Sequence, residues 1–315
     1  MRREILALKA LGMSVVRVAA RPFPGSLVEP ADLEDATNTS YTAGSLFRAG
    51  VCLGTIAFTR PMHLLRALCD VVRVGAKTQT GVVKNLMYLG QACVLVQLAK
   101  KCSHIHANFG NATNIAIYCR ILGGPPVSLR IHGPEEYIDF SPTEWAWKIQ
   151  HAAFLAPITE YGVKKVQSQV APNSYPKIKL LRCGVDAALL TDELTTTTAL
   201  PSELSLVCIA RLEPRKGHDV LLKALDQLKR GGLDVKLTII GDGSSRDSLE
   251  KKSRDLSLSD SIHFAGWQAG AQVIQSMRNA RVVVLPSFAE GLPIVLMEAL
   301  AIGRTVVTTR VDGIP

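Results

Sequence analysis

The chain has 315 residues, of which 47% are apolar and 20% charged, a composition typical of a packed globular protein and not of a disordered or fibrous one. At roughly 100 to 200 residues per domain, this length predicts two domains, each with a core of its own. The formal net charge is +9, and residues 1–184 carry all of the excess, with 21 basic against 11 acidic residues. An anionic partner drawn by long-range attraction should therefore meet the first half of the chain.

The seven cysteines are scattered through apolar stretches and include no Cys-x-x-Cys pair. This pattern argues against a zinc site or a disulfide framework and favours a reducing compartment. The first residues lack the apolar segment of a signal peptide, and the longest mostly apolar stretches, 51–58 and 87–99, are shorter than the roughly 20 residues that cross a bilayer. The sequence therefore predicts a cytoplasmic protein without a membrane span.

A helical pattern extends over residues 40–101, after an amphipathic helix at 4–11 and a strand at 15–18. Between Arg48 and Lys101 there are eight basic residues and one acidic residue. Charge runs of this kind are usually solvated helix faces. The same run also suits a basic amphipathic surface lying on anionic lipid, as in a peripheral membrane protein. Both interpretations remain open at this point.

From His104 onward, short apolar strands alternate with helices, which predicts parallel sheets covered by helices and hence an α/β fold. Residues 187–203 have the composition of a linker between an N-terminal domain, 1–186, and a C-terminal domain, 204–315. The second domain is predicted to be doubly wound, with its ligand beyond the carboxyl ends of the strands. Its predicted strands are 204–210, 234–240, 261–264, 281–285 and 304–308.

Arg211 and Lys216 lie in the loop between the first strand of this domain and the helix that follows. Cations are normally favoured at the other end of a helix, because the free N–H groups already make the N-terminus positive. An anion that joins them would explain the arrangement, and a diphosphate fits, since Arg binds it as a fork and Lys as a point charge. A solvated loop with basic residues by chance remains the alternative.

Glu298 is the only charged residue between Gly291 and Gly303, on an otherwise apolar helix that Pro293 suits at its first turn. Burial of a carboxylate on such a helix is costly unless a partner hydrogen-bonds it. Glu290 precedes the helix, so the two carboxylates are expected to face one cleft, where sugar hydroxyls could donate to them. Pairing of Glu298 with a core arginine is the alternative.

His132 follows the predicted strand 127–131 and is expected at a strand end in the first domain, although a structural histidine at a turn is the commoner case. His104 and His106 lie on one face of another strand. A metal would need a third ligand at a suitable spacing, and none follows, so no metal site is predicted.

The residues at the predicted strand ends form one pattern, made of Arg211, Lys216, Gly241-Asp-Gly243, Phe264-Ala-Gly266, Glu290 and Glu298. With this pattern, residues 204–313 resemble the retaining glycosyltransferases of family 4, which have the GT-B fold. The segments His106-Ala-Asn-Phe-Gly110 and Ile131-His-Gly-Pro-Glu-Glu-Tyr137 resemble the branch of that family that builds bacterial exopolysaccharides such as colanic acid.

The resemblance implies two Rossmann-like domains facing across a cleft that holds a nucleotide-sugar, either a UDP-sugar or a GDP-sugar, with no cofactor or metal. By position, Arg211 and Lys216 would hold the diphosphate, and Glu298 the ribose hydroxyls. Glu290 would contact the transferred hexose and His132 would face it from the first domain, which makes these two the predicted catalytic residues, without an assigned base.

The same resemblance implies that Gly241 lies in the donor site and that the backbone from Phe264 to Gly266 lines the base. The predicted acceptor is a lipid-linked sugar or an oligosaccharide, and the predicted location is the inner face of the plasma membrane. Family members begin with a further strand and end with further helices, so both domains are expected to be incomplete.

A non-catalytic nucleotide-binding or scaffold fragment of such an enzyme is the alternative. A dehydrogenase is disfavoured because the turn at Gly241-Asp-Gly243 lacks the third glycine of the dinucleotide pattern. Nucleic acid is disfavoured as a partner because no DNA-binding motif occurs and aromatic residues are sparse in the basic stretch.

Overall fold

The computed structural model describes residues 2–22, 30–133, 136–137, 140–190 and 203–315. The chain divides into two compact units, Met1–Arg182 and Cys183–Pro315. Most of the predicted linker, at residues 191–202, lies outside the described residues. The two units differ in net charge, because the first unit holds the 21 basic and 11 acidic residues counted above.

The first unit contains two parallel sheets, one of two strands and one of three strands in the order β3-β4-β5. The strands are β1 (Arg17–Ala19), β2 (Thr39–Tyr41), β3 (Ile105–Asn108), β4 (Val127–Ile131) and β5 (Phe154–Pro157). The helices are α1 (Arg2–Ala10), α2 (Pro30–Thr37), α3 (Leu46–Thr59), α4 (Pro61–Gly75), α5 (Gly81–Leu98), α6 (Gly110–Ile121), α7 (Pro142–His151) and α8 (Glu160–Gln167).

The predicted helical region, 40–101, is wrong at its N-terminal end, because residues 40 and 41 are not helical. They belong to β2, which pairs with β1 over three residues. This pairing joins segments that are distant along the chain, so local helical periodicity could not reveal it. The remainder of the predicted helical region forms three separate helices, α3, α4 and α5, with a break at Arg60-Pro61 and another before Gly81.

Strand β4 and helix α5 form the centre of the first core. All five residues of β4 are buried, as expected for a strand of a parallel sheet covered on both faces. Within the described part of the chain, α5 is the one helix that is long and apolar enough to span a membrane, at 18 residues. It is longer than the apolar stretch predicted there, and eight of its residues are buried inside the unit.

The second unit is a five-stranded parallel sheet in the order β10-β9-β6-β7-β8, and it confirms the predicted doubly wound arrangement. The strands are β6 (Leu204–Ile209), β7 (Val235–Ile240), β8 (Ile262–Gly266), β9 (Val282–Leu285) and β10 (Thr305–Thr308). The helices are α9 (His218–Arg230), α10 (Arg246–Asp255), α11 (Gly270–Asn279) and α12 (Ile294–Ala301).

The order of these strands locates a switch point beside β6. The chain proceeds from β6 to β7 and β8 on one side, and then crosses to β9 and β10 on the other side. In open parallel sheets, ligands bind in the crevice beyond the carboxyl ends of the two strands where the direction reverses. In this unit those strands are β6 and β9, so the loops that follow them form the edge where a ligand is expected.

Candidate functional site

The loop after β6 contains three cations and one acid. The Arg211 guanidinium is exposed and lies 2.8 Å from Glu213 Oε1, while Arg215 Nε donates to Glu213 Oε2 at 3.0 Å. The hydrogen bond from Arg215 and the charge of Arg211 hold the pKa of Glu213 below its usual range. Glu213 therefore stays ionised and orients both guanidinium groups.

Gly217 brings the loop after β6 against the loop after β9. This glycine has a φ of +72° and precedes α9, and a Cβ at this position would lie 2.0 Å from the Pro286 carbonyl oxygen. Only glycine accepts this backbone conformation at so close an approach. The two loops are joined a second time where the Phe288 N–H donates to the Arg215 carbonyl at 2.8 Å.

Lys216 and Glu290 meet where these two loops touch. Lys216 Nζ donates to Glu290 Oε1 at 2.5 Å, and Ser287 Oγ donates to the same oxygen at 2.6 Å. The Glu290 backbone N–H donates to Asp312 Oδ2 at 3.2 Å, and Glu290 is only 7% exposed. The sequence pattern suggested that Lys216 needs an external anion. In the structure the chain supplies a carboxylate of its own to this cation.

Glu298 is the fifth residue of α12 and is half-buried. The helix begins at Ile294, directly after Pro293, which serves as its N-cap residue instead of the predicted first-turn position. Glu290 precedes this helix, as the sequence predicted.

Gly241 and Gly266 connect the loops after β7 and β8 to the loop after β6. The Gly241 N–H donates to the Gly266 carbonyl at 2.8 Å, and a Cβ on Gly241 would lie 2.0 Å from the Ala210 carbonyl oxygen. Phe264 is half-buried and packs against the core of the unit, so its ring has a structural role and its backbone remains at the sheet edge. Trp267, the next residue after Gly266, is exposed.

His132 lies at the carboxyl end of β4 in the first unit, as predicted. Its Nε2 is 2.6 Å from Asn108 Oδ1, and its ring stacks on Phe109 with centroids 4.3 Å apart. Glu136 Oε2 accepts the His132 backbone N–H at 2.6 Å. Phe109 has a φ of +67°, a costly conformation for a bulky residue and one found most often at functional sites.

The protonation state of His132 follows from these contacts. Burial, with a smaller contribution from the charge of Arg130, lowers the pKa of His132 to about 4, so the ring is neutral near pH 7. An amide oxygen can only accept, so the bond to Asn108 places the ring proton on Nε2. The Nδ1 atom then carries a lone pair that can accept a hydrogen bond from a hydroxyl group.

His104 and His106 are joined through one serine. His104 Nε2 lies 2.8 Å and His106 Nδ1 2.7 Å from Ser128 Oγ, and His106 Nε2 lies 3.4 Å from a carboxylate oxygen of Glu4. Within the described ranges of the chain, no group of three or more His, Cys, Asp or Glu residues is arranged to hold a metal ion. The two histidines thus share Ser128 of β4, and His106 also lies in ion-pair range of Glu4 of α1.

A comparison with protein-family models shows which family the second unit is similar to. Residues 197–315 match the family model described as "Glycosyl transferases group 1". The match covers the second unit from residue 197 to its end. It confirms the resemblance to glycosyltransferases inferred from the residues, and the names of the relatives described next agree with the exopolysaccharide branch.

Curated relatives whose matches are longer than the second unit carry the same kind of name. The putative colanic acid biosynthesis glycosyltransferase WcaL of Escherichia coli (strain K12) is 28% identical over 258 residues, which are 78% of this chain and 61% of that protein. The amylovoran biosynthesis glycosyltransferase AmsK of Erwinia amylovora is 30% identical over 167 residues, 51% of this chain and 40% of that protein. The chain thus spans about 61% or less of the length of these relatives.

Solved structures confirm the GT-B fold. The crystal structure of Anabaena HepE in complex with UDP and glucose is similar with a TM-score of 0.61 and 20% identity, over 71% of this chain and 63% of that chain. The sucrose-phosphate synthase from Thermosynechococcus elongatus is similar with a TM-score of 0.58 and 19% identity, over 71% and 62% of the two chains.

The second unit also contains residues that the sequence patterns did not single out. Ser287 and Asp312 hold Glu290 in place, and Glu213 orients the arginines. His218 is the first residue of α9, and burial lowers its pKa to about 4. The only sequence feature that could have drawn attention to His218 was its position directly after Lys216-Gly217. The burial that lowers its pKa cannot be predicted from the neighbouring residues in the sequence.

Proposed function

We propose that the chain transfers a hexose from a nucleotide-diphosphate sugar to a lipid-linked or oligosaccharide acceptor in polysaccharide biosynthesis, with retention of the anomeric configuration. The observation that carries this proposal is the contact between Lys216 and Glu290 at the switch point of the group 1 domain. This contact supports the proposal because a lysine, a type of side chain that binds diphosphates, meets a carboxylate, a group that accepts hydrogen bonds from sugar hydroxyls, at one sheet edge.

In the proposed site, Arg211 and Lys216 bind the donor diphosphate, which is carried by UDP or GDP. Glu298 accepts hydrogen bonds from the ribose hydroxyls, and the backbone from Phe264 to Gly266, supported by Gly241, lines the base. The exposed Arg211 side chain and the tightly joined loops after β6, β7 and β8 support these roles. HepE has been solved in complex with UDP and glucose, which agrees with this choice of donor.

The chemical step breaks the bond between the sugar C1 and the diphosphate oxygen, and the electron pair leaves with the diphosphate. The acceptor hydroxyl oxygen forms the new bond to C1, and its proton passes to the released diphosphate. The cations of the loop after β6 stabilise the negative charge that develops on this leaving group. Glu290 contacts the transferred hexose. When the donor binds, the Glu290 carboxylate gives up its hydrogen bond with Lys216 and accepts hydrogen bonds from the sugar. Donor binding therefore sets the position of this carboxylate. In the first unit, Nδ1 of His132 is available to accept a hydrogen bond from a sugar hydroxyl. No divalent metal or other cofactor is required in this proposal.

The test is a turnover measurement with the purified chain. The donors are UDP-hexoses and GDP-hexoses labelled with ¹³C at the anomeric carbon, and detergent-dispersed bacterial membrane lipids supply acceptors. We expect nucleoside diphosphate release from one donor class and a product with the anomeric configuration of the donor. Lys216→Ala should reduce turnover roughly a hundredfold, while Lys223→Ala, on the exposed face of α9, should leave it unchanged. A product of inverted configuration would overturn retention.

Two further measurements distinguish this proposal from metal-dependent transfer and from a non-catalytic scaffold. Activity that is lost with a chelator and restored by Mg²⁺ would overturn the metal-free proposal. Tight binding of nucleotide without turnover of either donor class would favour the scaffold alternative, which the transferase names of the relatives do not support. Transfer at the inner membrane face is part of the proposal, because a lipid-linked acceptor resides there.

A further inference from the structure

Helix α3 exposes a stripe of apolar side chains. Phe47, Val51 and Phe58 are spaced by four and seven residues, so they lie on one face of the helix. Phe47 is 82% and Phe58 90% exposed. Two phenylalanines this exposed on one stripe are costly in water unless another surface covers them.

Helix α4 repeats the arrangement. Met62, Leu65 and Val72 are spaced by three and seven residues and are all exposed, while its opposite face, including Ala67 and Val71, is buried in the core of the unit. The exposed apolar side chains of α4 therefore lie on the opposite side of the helix from the residues that pack in the core. Near the start of α5, Val83 and Met87 continue this exposed apolar character.

Cations accompany the apolar stripes. Arg48 on α3, Arg66 on α4 and Lys84 on α5 are all exposed beside the apolar positions. The one acid among the three helices, Asp70, is buried, where it accepts from Trp147 Nε1 at 3.2 Å and lies 2.9 Å from the Arg73 guanidinium. The exposed charge of these helices is therefore positive, within a unit that carries 21 basic and 11 acidic residues.

We propose that α3, α4 and the start of α5 dock on an anionic lipid bilayer, with Phe47, Phe58 and Met62 entering the interface and the cations contacting lipid phosphates. An apolar stripe flanked by Arg and Lys is the pattern of helices that lie in a membrane interface. Association of two copies through this surface is disfavoured at low salt, because it would bring two strongly basic units together. The inference stands apart from the proposed chemistry, since docking is measured without donor or acceptor.

The test is sedimentation of the purified chain with vesicles of phosphatidylcholine alone and of phosphatidylcholine mixed with phosphatidylglycerol. We expect binding to the anionic vesicles at low salt and its loss at high salt. The charge variant Arg48→Glu with Arg66→Glu should bind at least about tenfold more weakly, since each cation near an anionic surface contributes about a fivefold factor. The apolar variant Phe47→Ser with Phe58→Ser should also weaken binding.

The matched control is Lys223→Glu with Lys251→Glu, which changes the net charge equally on exposed positions of the second unit. It should bind vesicles nearly as the wild type does, and circular dichroism should show that all variants are folded. Equal sedimentation with neutral and anionic vesicles at low salt would overturn the proposal. So would a loss of equal size in the control, or a concentration-dependent dimer that Phe47→Ser with Phe58→Ser abolishes while leaving vesicle binding intact.

Discussion

The pair formed by Lys216 and Glu290 joins two loops, and each partner keeps the other from being buried unpaired. Lys216→Ala should lower the free energy of unfolding by about 2 to 4 kcal/mol, because removal of one partner leaves an uncompensated charge in a low-dielectric site. Urea denaturation measures this loss, with Lys223→Ala as the exposed control. The double variant Lys216→Ala with Glu290→Gln should recover part of the stability, and an unchanged midpoint in the single variant would contradict the assigned pair.

Asn108 fixes the tautomer of His132. Replacement by a carboxylate in Asn108→Asp places a negative charge beside Nε2, where it favours the imidazolium, so the pKa of His132 should rise by at least about one unit. A titration of the ring by NMR gives the value directly, and Asn173→Asp, on an exposed turn, is the control. If the pKa of His132 stayed near 4 in Asn108→Asp, the contact with Asn108 would not exist in solution.

His218 makes the second unit sensitive to acid. Its folded pKa of about 4 lies below the ordinary value of 6.5, because burial disfavours the charged ring. Between these values the unfolded chain binds a proton that the folded chain does not, so stability is full above pH 6.5 and falls as the pH drops to 4, by about 3 kcal/mol. Urea denaturation at several pH values should show a smaller loss in His218→Leu than in the wild type. The exposed His263→Gln should behave as the wild type does, and equal acid sensitivity in all three proteins would refute this role.

At the scale of elements, Gly217 sets the distance between α9 and the loop after β9. Gly217→Ala should destabilise the protein by about 3 kcal/mol or more, because the new Cβ would meet the Pro286 carbonyl and the φ of +72° is unfavourable for alanine. Gly270→Ala, where a Cβ meets nothing within 4 Å, is the control and should be neutral or slightly stabilising. A Gly217→Ala protein as stable as the wild type would contradict the described approach of the loops.

The sequence predicted the elements of the second unit well, because strands buried in a parallel sheet are short apolar runs and the helices between them have a clear apolar stripe. The strand β2 was missed, since its pairing with β1 depends on contacts that local periodicity does not encode. For the same reason the sequence placed Lys216 and Glu290 in separate loops, and their direct contact across 74 positions required the fold. The positive φ of Phe109 has no signature in the residue itself.

At the scale of the whole molecule, the two units differ in charge and in the surfaces they offer. The first unit carries the net positive charge, the exposed apolar stripes of α3 and α4, and His132. The second unit holds nearly balanced charge, with 15 basic and 16 acidic residues after residue 184, and three of its cations lie in the loop at the switch point. This division agrees with the two proposals made above, in which the second unit binds the donor and the first unit docks on anionic lipid.

The proposed function requires the second unit to bind a nucleoside diphosphate at the carboxyl ends of β6 and β9. Calorimetric titration with UDP and with GDP measures this binding. We expect the wild type to bind one of them, Glu298→Ala to bind it about tenfold or more weakly through lost hydrogen bonds to the ribose, and Asp234→Ala, on an exposed loop, to bind as the wild type does. A wild type that binds neither nucleotide, or a Glu298→Ala variant that binds as tightly as the wild type, would refute the proposed donor site.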